Sequence, residues 1–464
     1  MPEKAFYENT NAQKVPKRIL GALMNSLSAG VVPRVGAPYV AIGRNDEISA
    51  LLSDLERVAD GGAGMRFVVG KYGSGKSFLL QLIRGYAVER GFVALDCDLS
   101  PERKLTGTQG SGLATYRELI RSMSTKSSPD GGGLPVLLAR WLSSVQSSVA
   151  ADGIEPGTPE FGRAVDKKVF ELTREIEGQV GGFDFAAVVS KWRRASEAGD
   201  DETMSLCLRW LRGEYQTKTE AKRALGVQSI ITDADWYEYI RLWAQFARGC
   251  GYKGIVVLID ECVNLYKISN RISRESNYEM ILSMFNDSLQ GRSSGVEIIM
   301  GGTPQFMEDT RRGLFSYEAL RSRLTDGRFS SAGYTDLMGP VIRLRRLSDD
   351  ELFALITRLT ALHAQMYSWQ PRVSGDDAAR FLEICESRAG ADTMITPREI
   401  IRDYLSILNI LLQNPSADFQ GIIEKDGIKL RTDVPDPEQD ENEVSSDKSR
   451  ENTPRAVDLA DLEF

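Results

Sequence analysis

An α/β fold, with a parallel sheet, a large helical insertion and a C-terminal helical lid, is predicted by three stretches of this 464-residue chain. In the first, Met65 to Ser77, an apolar strand empties into a glycine-rich loop of pattern G-x-x-x-x-G-K-S. In the second, Gly254 to Glu261, a continuous apolar strand ends in paired acids, as a strand buried on both faces of a parallel sheet does. The third, Leu347 to Leu412, reads as helix throughout.

The loop is a P-loop, and each of its residue types has a chemical reason. Gly70, Gly73 and Gly75, with Ser74 between them, let successive backbone N–H groups approach a polyphosphate that side chains would hold away. Lys76 is placed to reach the β- and γ-phosphates and Ser77 to ligate Mg²⁺, so ATP and Mg²⁺ are the expected cofactors. A helix from Lys76 to about Arg90, apolar at Leu79, Leu80, Leu82, Ile83 and Tyr86 and stopped by Gly91, points its positive end at the same anion.

Composition bounds the remaining possibilities. No apolar run approaches the roughly 20 residues of a membrane helix, and Met1 to Tyr7 lacks a signal-peptide apolar region; the expectation is a cytoplasmic protein away from membranes. Cys97, Cys207, Cys250, Cys262 and Cys385 show no paired spacing, which suits buried thiols. His363, the only histidine, gives no zinc site and reads as a polar helix residue. The net charge is −8, and the eleven acids and three bases from Asp433 to Phe464 account for all of it. Residues 1–432 are therefore balanced, and any nucleic-acid surface is a local patch.

In chain order, a helix is expected from Pro16 to Ser28, with Ile19, Leu20, Leu23, Met24 and Leu27 at helical spacing. Tyr39 to Arg44 then leads into a helix from about Asp46 to Ala59. In origin-recognition AAA+ ATPases a similar Gly-Arg sits over the adenine, which makes Gly43 and Arg44 nucleotide-binding candidates; a plain strand-to-helix turn is the alternative. After the P-loop helix, Phe92 to Asp98 is a second strand. From about Ser100 to Cys250 the patterns are helical, as in Leu113 to Met123, Leu134 to Val149 and Trp236 to Ala247. There Lys191, Arg193, Arg194, Arg209 and Arg212 alternate with acids and read as a solvated face.

The acids after Ile259 have the form of a Walker B element. Asp260 is the Mg²⁺ residue, through water, and Glu261 the general base. A strand from Val296 to Met300 ends in Gly301-Gly302-Thr303-Pro304, and Thr303 is the candidate sensor for the γ-phosphate or the water. Arg321 and Arg323 are candidates for an arginine finger presented to a neighbouring subunit, or else are salt-bridged helix arginines. Ser348-x-x-Glu351 and Thr396-x-x-Glu399 are capping boxes, and Arg398, in the first turn after the second, matches a sensor 2 arginine. After Pro415 little is left to fold, and residues 433–464 read as a disordered acidic tail.

Residues 15–412 resemble the P-loop ATP-binding proteins of BREX-type phage-resistance systems, the BrxD-like family, related to origin-recognition-type AAA+ ATPases. The likeness lies in Val40 to Arg44, the P-loop, Ala114 to Arg117, Trp210 to Glu214, Ala224 to Val227, Gly251 to Gly254 before Asp260-Glu261, Gly301 to Pro304, and Thr396 to Glu399. The long interval between Lys76 and Asp260 departs from ordinary AAA+ proteins and is explained by the helical insertion. No clear winged-helix domain follows the lid. The resemblance implies a prokaryotic defence protein working beside a helicase, methyltransferase or nuclease. It also implies a homo-oligomer or nucleotide-dependent dimer, with duplex DNA a possible partner. The function expected is Mg²⁺-dependent ATP hydrolysis with those partners, the alternative being a nucleotide-gated switch that recruits an effector.

Overall fold

The computed structural model describes residues 14–107, 110–177, 180–325, 336–387 and 396–425. Five strands, β1 (Ala63–Val69), β2 (Val93–Asp98), β3 (Ile255–Asp260), β4 (Val296–Gly302) and β5 (Val341–Arg343), form one sheet in the order β2-β3-β4-β1-β5. Every pair is parallel, so all five strands end at one edge. This is the α/β arrangement with a parallel sheet that the sequence predicts, with β4 lying between the P-loop strand and the Walker B strand.

Both faces of the sheet are covered. On β4, Val296, Ile298 and Met300 join one apolar core while Ile299 joins the other, as alternation along a strand requires. The smaller core is closed by the P-loop helix (Lys76–Glu89) and the helix Asn45–Ala59. The larger is continuous with the insertion, seven helices from Ser111 to Gly249 between β2 and β3. Trp243 is fully buried in it, and its indole N–H donates to the Tyr116 hydroxyl (3.1 Å), which donates to the Leu211 carbonyl (2.8 Å). Truncating such a tryptophan typically costs about 3–5 kcal/mol.

Residues 37–40 form a 3₁₀ turn, because Gly36 turns the chain at φ 82° and Pro38 suits the first helical turn. Two expectations change. Arg193 is not part of a solvated face. It is 3% exposed and pairs with Glu197 and Asp166. The chain past Pro415 still folds: Phe419–Lys425 is a helix whose Phe419 and Ile423 are buried in the lid. The acidic tail, 433–464, lies outside the described residues.

The lid comprises the helices Asp349–Tyr367, Gly375–Ser387 and Pro397–Gln413, and the N-terminal helix Lys17–Ser28 packs into the same core through Leu20, Leu23, Met24 and Leu27. His363 is buried there. Its Nδ1 accepts from the Trp369 indole (2.9 Å), so its Nε2 carries the proton toward Asn409 Oδ1 (3.1 Å), and burial lowers its pKa.

One buried carboxyl lacks a hydrogen-bond partner among the described residues. Arg66 on β1 pairs with Asp54 (2.6 and 2.9 Å), but both carboxyl oxygens of the neighbouring Glu297 on β4 lack a hydrogen bond among the described residues. Burial, reinforced by Asp54 and partly offset by Arg66, pushes the Glu297 carboxyl up to about 8. A carboxyl with a raised folded-state pKa favours the fold fully below its unfolded value, near 4.5, and loses that contribution as pH rises to about 8. The loss runs at about 1.4 kcal/mol per pH unit. Thermal unfolding between pH 5 and 9 is expected to fall less steeply for Glu297→Gln than for the wild type; parallel curves would refute the assignment.

Candidate functional site

The P-loop is built at the end of β1, where the Gly70 N–H donates to the Gly302 carbonyl (3.1 Å) and fixes the loop beside β4. Gly73 (φ 76°) and Gly75 (φ 90°) lie in the left-handed region that glycine tolerates. A Cβ at Gly73 would come within 2.6 Å of Thr396, so the lid rests directly on the loop. A Cβ at Gly75 would meet nothing within 4 Å, leaving open space over the start of the P-loop helix. That helix has no side-chain N-cap, so its first N–H groups are left for an anion. Lys76 Nζ donates to the carbonyls of Gly70 (2.9 Å) and Lys71 (3.1 Å), which holds it over the loop.

A cavity of about 350 Å³ lies at this edge. Its lining brings together Gly73, Ser74, Gly75, Lys76 and Ser77 with Asp260, Glu261, Thr303 and Arg398. Asp260 is 8% exposed and accepts the Glu261 N–H (2.8 Å). Glu261 has φ 55°, an uncommon conformation for a residue with a side chain, and this turns it out of the strand. Burial, then Asp260, raises the Glu261 carboxyl above its ordinary pKa, and Lys76 opposes the shift. Asp98 stands opposite Asp260 in the β2–β3 register, and burial followed by the charge of Asp260 raises it too. The Ser77 hydroxyl and the Asp260 carboxylate are hard oxygen donors that fit Mg²⁺.

Other candidates are placed differently. Arg44 lines the cavity but is committed: its Nη2 donates to the carbonyls of Ser74 (2.9 Å) and Arg345 (2.5 Å), and its Nη1 to Glu47 (3.3 Å). It thus ties the P-loop to the chain entering the lid. Gly43 does not line the cavity. Its φ of 71° and lack of a side chain admit the Glu351 carboxylate, which Arg345 grips at 2.5 and 2.6 Å and holds down to about 2. Thr303 Oγ1 accepts the Phe306 N–H (3.3 Å) and so also caps a short helix. Arg321 and Arg323, on the helix Glu318–Leu324, do not line the cavity; Arg321 lies 3.8 Å from Glu318 and Arg323 donates to the Ala319 carbonyl (2.7 Å).

The sequence did not reveal the apolar part of the cavity lining. Val31 and Val32, Ile42, and Leu347, Leu355 and Ile401 line it from three distant parts of the chain. An apolar slot beside an anion cradle accepts a flat base joined to phosphates.

Residues 15–427 match the family described as BREX system ATP-binding protein BrxC/D. The chain belongs to this family. No curated protein matches it. Among solved structures, it is similar to domain III of the Thermotoga maritima replication initiation protein DnaA, at 11% identity and a TM-score of 0.33 over 87% of this chain and 98% of that one. Among the described residues of this BREX ATP-binding protein, no helix is long and apolar enough to cross a membrane.

Arg44→Ala strands two carbonyls that now accept from a charged donor, contacts worth roughly 1.5–3 kcal/mol each at most. The expected result is a folded protein with a lower melting temperature and ATP affinity reduced about tenfold, read by titrating ATP in a thermal-shift assay. Unchanged affinity would show that the tie does not shape the loop.

Proposed function

We propose that the protein hydrolyses ATP with Mg²⁺ and couples that turnover to partner proteins of the defence system, with duplex DNA among its targets. The observation that carries the hydrolytic reading is the meeting of Lys76 and Ser77 with Asp260 and Glu261 across one cavity. Family membership supports the partners and the setting.

In this reading the base enters the apolar slot and the phosphates lie along the P-loop N–H groups. Ser77 and Asp260 would hold Mg²⁺, which when bound would supply charge neutralisation at the phosphate oxygens. A water oxygen bonds to the terminal phosphorus while the bond to the bridging oxygen breaks, its electron pair leaving with ADP. The water proton passes to the Glu261 carboxylate. Lys76 follows the developing charge, and Thr303 and Arg398 hold the terminal phosphate from the core and lid sides. Arg321 and Arg323 lie away from this cavity, and the reading assigns one of them to a neighbouring subunit's site in a homo-oligomer or nucleotide-dependent dimer.

A second reading, the nucleotide-gated switch, is favoured by the contact of Gly73 with Thr396. A loop rearranged by phosphates moves the lid, and the N-terminal helix packed on the lid moves with it. Nucleotide-dependent partner binding without repeated turnover, and without stimulation by DNA, would favour this reading.

Phosphate release and nucleotide binding test the ATPase. Lys76→Ala is expected to abolish both, whereas Glu261→Gln retains binding and loses turnover by about a hundredfold or more. Normal turnover in both variants would overturn the assignment. The raised pKa of Glu261 adds a pH dependence: protonation removes the base, so kcat is expected to fall with acidification, with its midpoint above 4.5. Mass photometry with and without ATP tests the shared arginine site, which a persistent monomer would eliminate.

A further inference from the structure

Among the described residues, four cations line the cavity. Arg44 is bonded to backbone carbonyls, Lys76 lies over its own loop, and Arg398 belongs to the lid. The fourth is Lys267. It follows the one-turn helix Val263–Tyr266, begun immediately after the Walker B acids, and lines the same cavity as Glu261, Thr303 and Gln305. Its charge is felt at Glu261, where it opposes the effect of the neighbouring acids.

The backbone that carries Lys267 is anchored on every side. Asn264 Nδ2 donates to the Leu99 carbonyl (2.9 Å), Leu265 is fully buried, and the Tyr266 hydroxyl donates to Asp309 (2.9 Å). The Lys267 N–H closes the turn on the Val263 carbonyl (3.1 Å). Among the described residues no hydrogen bond or ion pair engages its exposed ammonium. A fixed root with an uncommitted long arm, on the wall that holds the general base, suits a cation that meets its partner only when a ligand arrives.

We propose that Lys267 is a further catalytic residue, a cation from the same chain that contacts the terminal phosphate of a bound nucleoside triphosphate on the Glu261 side of the cavity. It transfers no proton; it neutralises charge on the phosphoryl oxygens as the bridging bond breaks. Because the phosphate it meets is the one ADP lacks, it also makes the protein prefer ATP over ADP. The contribution to turnover rests on the hydrolytic reading above, but the nucleotide preference does not.

Full-length Lys267→Ala and Lys267→Arg, with Mg²⁺, are compared with the wild type by displacement of a fluorescent nucleotide and by single-turnover hydrolysis. In Lys267→Ala, ATP affinity is expected to fall about tenfold while ADP affinity stays within about twofold, as loss of one charge-assisted contact implies. The single-turnover rate is expected to fall about tenfold or more, with Lys267→Arg recovering most of both losses and the melting temperature unchanged. Equal ATP-to-ADP preference in the wild type and Lys267→Ala would overturn the inference, whatever the rate. A wild type that binds ATP but releases no phosphate would instead overturn the hydrolytic reading, and the ATP-to-ADP ratio would still decide the role of Lys267.

Discussion

Everything at the nucleotide-binding edge depends on β4 being hydrogen-bonded between β1 and β3. Neighbouring strands stand about 4.8 Å apart, so interposing one strand separates the P-loop strand from the Walker B strand by about 10 Å. That interval keeps Lys76 on one side of the cavity and Glu261 on the other. The register settles the depth as well as the width: Val69 pairs with Gly302 and Met300 with Ile259, so the loop, Thr303 and the acids begin at one level.

Local chemistry was legible in the sequence, and distant chemistry was not. The P-loop, the Walker B acids and both capping boxes were readable because every partner lies within a few residues. Ser348 with Glu351, and Thr396 with Glu399, each form the complete reciprocal pair. Arg44 illustrates the opposite case. Its dipeptide made it a nucleotide-binding candidate and it lines the cavity, but two of its hydrogen-bond partners are backbone carbonyls 30 and 301 residues away, which no local pattern encodes. Arg193 misled for a related reason: a charged residue among charged residues reads as solvated unless the burying helix is known. The apolar slot is assembled from the N-terminal segment and the lid, whose stripes announced burial without saying against what.

The insertion is not an appendage to the nucleotide-binding core. Its tryptophans share one continuous core with the face of the sheet formed by Met65, Phe67, Val257 and Ile298, so its helices pack directly on the strands that carry the site. The lid is coupled more narrowly, through Thr396 on Gly73 and through the Arg44 tie. The two units therefore meet the cavity region by different routes, one through the sheet and the other through the loop.

The strand order has a further consequence for biosynthesis. β1 and β2 emerge first but are not neighbours; β2 pairs only with β3 and β1 only with β4 and β5. At a synthesis rate of about 5–20 residues per second, the 156 residues between Asp98 and Ile255 occupy the ribosome for on the order of ten seconds or more. Throughout that interval two apolar strands have no edge to join, which exposes the nascent chain to misassembly and makes it a natural client for chaperones. More than half of the protein has been made before its sheet can begin to exist.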